Sequence, residues 1–150
     1  MKHLLTLLFS ATISVASFSQ GYFSKYQNIA DSFEVIYGIP SSVMLGVAYH
    51  ESGAGKSVAA KYLNNHFGIK GSNNLMKTHN IKSSYKGYQS VAHSFEAFCL
   101  LMTKRTFYTN LKGNTDYKKW VNAISNTNYA SGSKTWGPKV ISIINKNKAS

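Results

Sequence analysis

Apolar residues recur every three or four positions along most of this chain, which is the period of amphipathic α-helices. A first helix is predicted to end at Tyr37, because Gly38 is well suited to stop it. A second helix is predicted to begin near Pro40, a residue that fits the first helical turn. The same period predicts further helices at 57–65, from 90 to about 104, around 117–124 and around 136–144.

The stretch between residues 67 and 88 breaks this pattern. Glycine, serine and asparagine are scattered through it, and no helical period survives. We predict a small irregular β-hairpin lobe here, which could form one wall of a cleft. No linker rich in proline, glycine or serine divides the chain, so residues 21–150 are expected to fold as one domain. The predicted fold class is α+β, mostly α, with the hairpin lobe beside the helices.

The first twenty residues have the order of a secretory signal peptide. Met1-Lys2-His3 supplies a basic end, an apolar run follows from Leu4 to Val15, and small residues precede Gln20 and Gly21. The apolar run is too short to span a bilayer, so a retained anchor is the weaker alternative. Residues 1–20 are predicted to be removed, and the mature protein is expected to be secreted or periplasmic.

The chain is strongly basic, with 17 Lys and Arg against 5 Asp and Glu and a net charge of +12. Such a surface attracts polyanions, and the anionic polymers of a bacterial envelope suit a secreted protein best. All basic residues but Arg105 are lysines, whereas base recognition in nucleic acids favours arginine. We therefore expect envelope partners, no nucleic acid, and a monomer.

The sole cysteine, Cys99, excludes an internal disulfide and cannot hold a metal ion alone. It lies on an apolar helical stripe, which is typical of a buried structural thiol. No metal or other cofactor is expected.

One acidic residue has a special position. Glu51 continues the apolar face of the second predicted helix, on which Met44 and Val47 lie, and a glycine-broken turn follows it. Loss of hydration favours the neutral form of a carboxyl group, so Glu51 is a candidate proton donor near neutral pH. The alternative is an ordinary helix-terminal glutamate that caps the helix or pairs with a lysine.

Two sequence motifs around this residue resemble a known family. Residues 51–57 read ESGAGKS, residues 64–71 read NNHFGIKG, and GIPSS at 38–42 leads into the helix. These motifs are similar to those of the glucosaminidase domain of glycoside hydrolase family 73, which includes bacterial autolysins and the flagellar muramidase domain. The match extends over roughly residues 36–146 through shorter likenesses at 88–90, 94–95 and 128–130. The resemblance implies a lysozyme-like fold and cleavage of peptidoglycan strands, with Glu51 as the general acid.

The bond implied by the resemblance is the β-1,4 link after N-acetylglucosamine, which describes an endo-β-N-acetylglucosaminidase. Glycosidases usually use two carboxyl groups, and the resemblance implies a second acid in the small lobe. Here no Asp or Glu lies between Ser52 and Phe95. Three mechanisms stay open: hydrolysis assisted by the substrate's own 2-acetamido group, lytic transglycosylation, and inversion with a remote acid such as Glu96. Muramidase cleavage on the same fold is a further alternative.

The resemblance also implies the remaining site residues. Tyr129 takes the place of the family's late tyrosine, where it would orient the acetamido group or stabilise developing charge. The predicted substrate-binding residues are Asn65, His66 and Phe67 in the cleft floor, Tyr85 and Tyr88 for stacking on sugar rings, and Glu96. The rival from another functional class is a non-catalytic, basic module that binds the cell wall.

Overall fold

The computed structural model describes residues 13–130 and 134–148 of the chain, and the side chains of residues 20–129 and 134–148. Residues 1–12 of the predicted signal peptide lie outside this part. The described residues form eight α-helices and one short 3-10 helix at Asn128–Ala130. The α-helices are α1 (Ile13–Tyr37), α2 (Ser41–Ser52), α3 (Val58–Leu63), α4 (Leu75–His79), α5 (Val91–Thr103), α6 (Tyr108–Leu111), α7 (Tyr117–Ser125) and α8 (Trp136–Lys148). Mostly helical architecture is thus confirmed.

Local sequence explains where three of the helices begin. Ser57, Ser90 and Asp116 each accept hydrogen bonds from backbone N–H groups in the first turns of α3, α5 and α7. Such caps satisfy donors that have no partner inside the helix. The short helices α4 and α6 do not follow from the hydrophobic period, because they are too short to show one.

The centre of the molecule is α2. It packs against α1 and α8 and also contacts α5 and α7. Seven of its 12 residues are buried, among them Met44 and Val47 with no exposed surface. Each large apolar side chain buried in this way contributes about 1.5 to 3 kcal/mol of transfer free energy. The position and direction of α2 are therefore fixed by apolar contacts on several sides.

The predicted β-hairpin is not present, and this part of the fold prediction is wrong. Residues 68–88, called the lobe below, contain α4 and a single antiparallel bridge between Lys70 and Tyr85. Asparagine side chains supply hydrogen bonds in place of those between paired strands. The Asn65 amide donates to the carbonyls of Ile69 and Lys86, each at 2.8 Å. Asn73 donates in the same manner to the carbonyls of residues 83 and 85. Because side-chain donors satisfy these carbonyls, regular strand pairing is not needed.

Within the described residues, no helix combines the length and the apolar character that crossing a bilayer would require.

Candidate active site

The turn that follows α2 places Glu51 at the end of a rigid helix. Three successive residues, Gly53, Ala54 and Gly55, adopt positive φ angles of 56°, 59° and 78°. The left-handed conformation is readily adopted by glycine and costs roughly 1 to 2 kcal/mol for alanine. The hydroxyl of Ser52 accepts a hydrogen bond from the N–H of Gly55 at 2.8 Å. The ESGAG sequence thus reverses the chain directly after the acid.

A tryptophan from the far end of the chain holds the Glu51 carboxyl group. Trp136, the first residue of α8, donates its indole N–H to Oε1 of Glu51 at 2.6 Å. The indole is itself 4% exposed, so its direction is set by packing. The second carboxyl oxygen faces Gly68, where an added Cβ would lie 3.6 Å from Oε2. A Cβ at position 68 would be in ordinary van der Waals contact with this oxygen, and the positive φ of 65° at Gly68 favours glycine there.

Two adjoining cavities meet at Glu51 and together form a groove. They have volumes of about 370 and 390 Å³, and both are lined by Glu51, Gly68 and Tyr85. The first continues along residues 57–59 and 81–84, and the second along 67–70, 101 and 128–129. The acid therefore lies part-way along the groove, between the helices and the lobe. A long ligand can extend to both sides of it.

Tyr129 lies in the second cavity close to the acid. Its hydroxyl donates a hydrogen bond to the carbonyl oxygen of Phe67 at 2.8 Å. Burial, followed by the nearby negative charge of Glu51 and by Tyr88, raises the pKa of Tyr129 well above its ordinary value of 10. The phenol therefore stays protonated in neutral solution, with its proton directed at the protein and a lone pair available to a ligand.

The other four acidic residues have partners elsewhere. Asp31 accepts from Gln27, the Glu34 carboxylate accepts from a backbone N–H, and Asp116 caps α7. Glu96 accepts a hydrogen bond from the hydroxyl of Tyr37 at 3.3 Å. All five acids of the sequence lie in the described part of the chain, and Glu51 alone among them lines the groove. The groove thus holds one protein carboxylate.

A comparison with known protein families finds a match that covers most of the chain. Residues 27–149 match the family model for glucosaminidases, described as mannosyl-glycoprotein endo-β-N-acetylglucosaminidase. The chain belongs to this glucosaminidase family. It is therefore a glycoside hydrolase by family. A search of curated proteins found no match.

Solved structures share the fold of this glucosaminidase at low sequence identity. The catalytic domain of the autolysin Auto from Listeria monocytogenes is 20% identical, with a TM-score of 0.71, and the match covers 98% of this chain and 97% of that one. The glycoside hydrolase domain of FlgJ from Salmonella typhimurium is 22% identical, with a TM-score of 0.68 and coverages of 87% and 89%. A peptidoglycan hydrolase from Sphingomonas sp. A1 is 23% identical, with a TM-score of 0.67 and coverages of 86% and 89%.

The structure brings five of the eight residues proposed for the site of this glucosaminidase into the groove. These are Glu51, Asn65, Phe67, Tyr85 and Tyr129. Asn65 is 1% exposed and acts as a brace for the loop around it, since its side chain makes hydrogen bonds with several backbone groups. Tyr85 is 37% exposed, which leaves its ring accessible to a sugar.

Three of the proposed residues lie elsewhere. His66 is buried behind the groove, where its Nδ1 is 2.6 Å from the hydroxyl of Tyr22, and burial, assisted by Lys25, lowers its pKa to about 4. Tyr88 lines a separate cavity on another side of the lobe, and burial raises the pKa of its hydroxyl. Glu96 faces Tyr37 at the contact between α1 and α5 and does not line the groove.

Sequence reasoning missed the contribution of Trp136 to the site of this glucosaminidase. The helical period predicts a helix around residues 136–144 and accounts for Trp136 as one of its core side chains. A buried indole N–H nevertheless requires an acceptor, and few acceptors are available in an apolar core. That requirement was the signal in the sequence, although it names no particular partner.

Proposed function

We propose that this glucosaminidase hydrolyses the glycan strands of peptidoglycan as an endo-β-N-acetylglucosaminidase, with Glu51 as its general acid. The observation that carries the proposal is the single carboxylate in a groove that extends to both sides of it. The neighbouring structures include an autolysin and a peptidoglycan hydrolase, which supports the choice of polymer. Export by a signal peptide at residues 1–20 is part of the proposal, and N-terminal sequencing of the exported protein tests it.

A single carboxylate suits hydrolysis assisted by the substrate. Glu51 gives its proton to the glycosidic oxygen as the bond to C1 breaks, and the 2-acetamido oxygen of the same sugar forms the new bond to C1. The new bond closes a five-membered oxazolinium ring on the sugar. Water then attacks C1, opens this ring and returns a proton to Glu51. The sugar keeps its β configuration, because C1 is inverted twice. No second protein carboxylate takes part in either step.

Two neighbours of the acid have roles in this scheme. The Trp136 indole fixes the carboxyl group, so that Oε2 is the oxygen directed at the substrate. The Tyr129 hydroxyl donates a hydrogen bond to the Phe67 carbonyl, so the lone pairs of its oxygen can accept a hydrogen bond from the acetamido N–H. That contact would turn the acetamido oxygen toward C1. Tyr129 is therefore assigned to orientation of the acetamido group.

Lytic transglycosylation is the second candidate, since it also needs one acid. It differs in its product, because the 6-hydroxyl of muramic acid closes a ring in place of water. Inversion with Glu96 as a remote base is disfavoured by the contact of Glu96 with Tyr37, outside the groove.

The deciding experiment is mass spectrometry of fragments released from purified peptidoglycan by the wild type, Glu51→Gln and Glu96→Gln. The wild type and Glu96→Gln should both release reducing N-acetylglucosamine ends. Glu51→Gln should be slower by roughly a hundredfold to ten-thousandfold, which is the usual contribution of a general acid. NMR of the first product should show the β anomer.

Other outcomes would replace the proposal. Anhydromuramic ends would identify a transglycosylase, and reducing muramic ends a muramidase. Loss of activity in Glu96→Gln together with an α anomer would restore inversion. Release of no fragments by the wild type, with binding to the wall retained, would favour a non-catalytic module.

A further inference from the structure

The groove carries positive charge on both sides of its single carboxylate. Lys82 lines the first cavity and Lys70 lines the second. The Lys70 ammonium group donates to the hydroxyl of Ser84 at 3.1 Å and lies 4.9 Å from the centre of the Tyr85 ring. These contacts hold the Lys70 charge against Tyr85, a residue shared by the two cavities. The middle of the groove, at Glu51 and Gly68, has no cation of its own within the described residues.

The proposed substrate has a matching alternation of charge. In peptidoglycan, N-acetylglucosamine alternates with N-acetylmuramic acid, and the muramic residue carries a peptide stem with free carboxylates. Cleavage after N-acetylglucosamine places an uncharged sugar beside Glu51. A stem-bearing sugar then follows the cleaved bond, and another precedes the uncharged sugar. Anionic groups therefore enter both ends of the groove and are absent from its middle.

We propose that Lys70 and Lys82 bind carboxylates of the peptide stems and make the enzyme select glycan that still carries its stems. This inference rests on the proposed function and names the determinant of its substrate choice. Such carboxylates can reach an exposed ammonium group without entering the reaction centre, and both lysine side chains are exposed. The two contacts reinforce each other, because one strand presents its stems to both lysines at once.

General attraction by the basic surface is the effect to be separated from this one. The net charge of +12 draws any anionic strand toward the protein, wherever the lysines are located. Lys77 provides a matched control, since it is an exposed lysine of the same lobe, on α4, and lines neither cavity. Replacing it removes the same charge at a similar location without touching the groove.

The test measures kcat/KM on two soluble substrates, namely glycan oligomers with tetrapeptide stems and the same oligomers after enzymatic removal of the stems. The wild type should prefer the stem-bearing oligomer by roughly tenfold, since each exposed ion pair changes binding by up to about fivefold. The double variant Lys70→Gln/Lys82→Gln should bring the ratio close to one. Lys77→Gln should keep the wild-type ratio, and Lys70→Arg/Lys82→Arg should restore most of it.

Four results would overturn the inference. A wild-type ratio near one would show that stems are not recognised, and a ratio preserved in the double glutamine variant would exclude these two lysines. If Lys77→Gln lowered the kcat/KM ratio as much as the double glutamine variant does, the preference would be due to diffuse charge. Failure of the wild type to cut either oligomer would refute the proposed function, and this inference with it.

Discussion

The two walls of the groove are built by different forces. On the helical side, α2 buries seven of its 12 residues and packs among four other helices. On the lobe side, Leu75 is the one buried residue between positions 68 and 88. Asparagine hydrogen bonds hold the lobe in place of an apolar core. The acid is therefore positioned by packing, and the surface opposite it by hydrogen bonds.

This difference predicts where the molecule opens first. Regions with few buried apolar contacts unfold locally at lower free energy than a packed core. We therefore expect the lobe to open at a lower free energy than α2, the helix that carries Glu51. For the proposed cleavage inside a long strand, one fixed wall and one yielding wall would be an advantage.

The largest effect is expected from Phe98→Ala on the helical side. Phe98 is fully buried, stacks on Phe67 with ring centres 4.6 Å apart and contacts Tyr129 edge-on. Loss of such a ring costs about 3 to 5 kcal/mol, through lost burial and the cavity that remains. Urea unfolding should show one cooperative transition at lower urea. Leu100 lies on the same helix but is 46% exposed, so Leu100→Ala should change the urea concentration at the midpoint little. Equal effects of the two variants would contradict a packed core beneath the site.

A smaller and more local effect is expected from Asn65→Ala. The change removes two donated bonds at 2.8 Å, to the carbonyls of Ile69 and Lys86, and two weaker accepted ones. We expect the free energy of unfolding to fall by about 2 kcal/mol. The fall is no larger because water can reach the freed carbonyls once the lobe opens. Hydrogen exchange should speed up in the lobe and stay slow in α2, while activity falls more than tenfold.

The matched control for this variant is Asn74→Ala. Asn74 precedes α4 but makes no side-chain cap hydrogen bond, so its removal should leave exchange and activity near wild type. If Asn65→Ala instead lowered protection equally in α2 and in the lobe, the two walls would unfold as one unit.

The third effect is absent at neutral pH and develops only in acid, and the group responsible, His66, packs against the helices. His66 packs against Tyr22, Tyr26 and Phe95, and burial lowers its pKa to about 4. In the unfolded chain, His66 binds a proton near pH 6.5, which is a higher pH than in the folded protein. Stability contributed by neutral His66 is therefore complete above about pH 6.5 and is lost as the pH falls toward about 4.

The loss should have a slope of at most about 1.4 kcal/mol per pH unit, as expected for one proton. Urea unfolding at several pH values should show this slope in the wild type and in His93→Gln, whose imidazole is exposed. In His66→Gln, this part of the pH dependence should disappear. An unchanged slope in His66→Gln would assign the acid sensitivity to other groups.

How much of the fold could be predicted follows from how local each signal is. The bounds of α2 and α5 and the stop at Gly38 are encoded in hydrophobic period and caps within a few residues. The broken helical period predicts the position of the irregular lobe, but the β-hairpin predicted there is reduced to a single bridge. Its side-chain hydrogen bonds join Asn65 to Lys86, 21 positions later in the chain, and no local pattern records them.

Residues 41–57 contain enough local information to predict that Glu51 lies at the end of a helix, directly before a reversing turn. The groups that surround the acid come from distant parts of the chain and depend on how it packs. Trp136 reaches Glu51 from 85 positions away, and Tyr129 reaches Phe67 from 62 positions away. Folding also directed Glu96 toward Tyr37, outside the groove. Helical period specifies the face on which a side chain lies, whereas the neighbour on that face depends on how the whole chain packs.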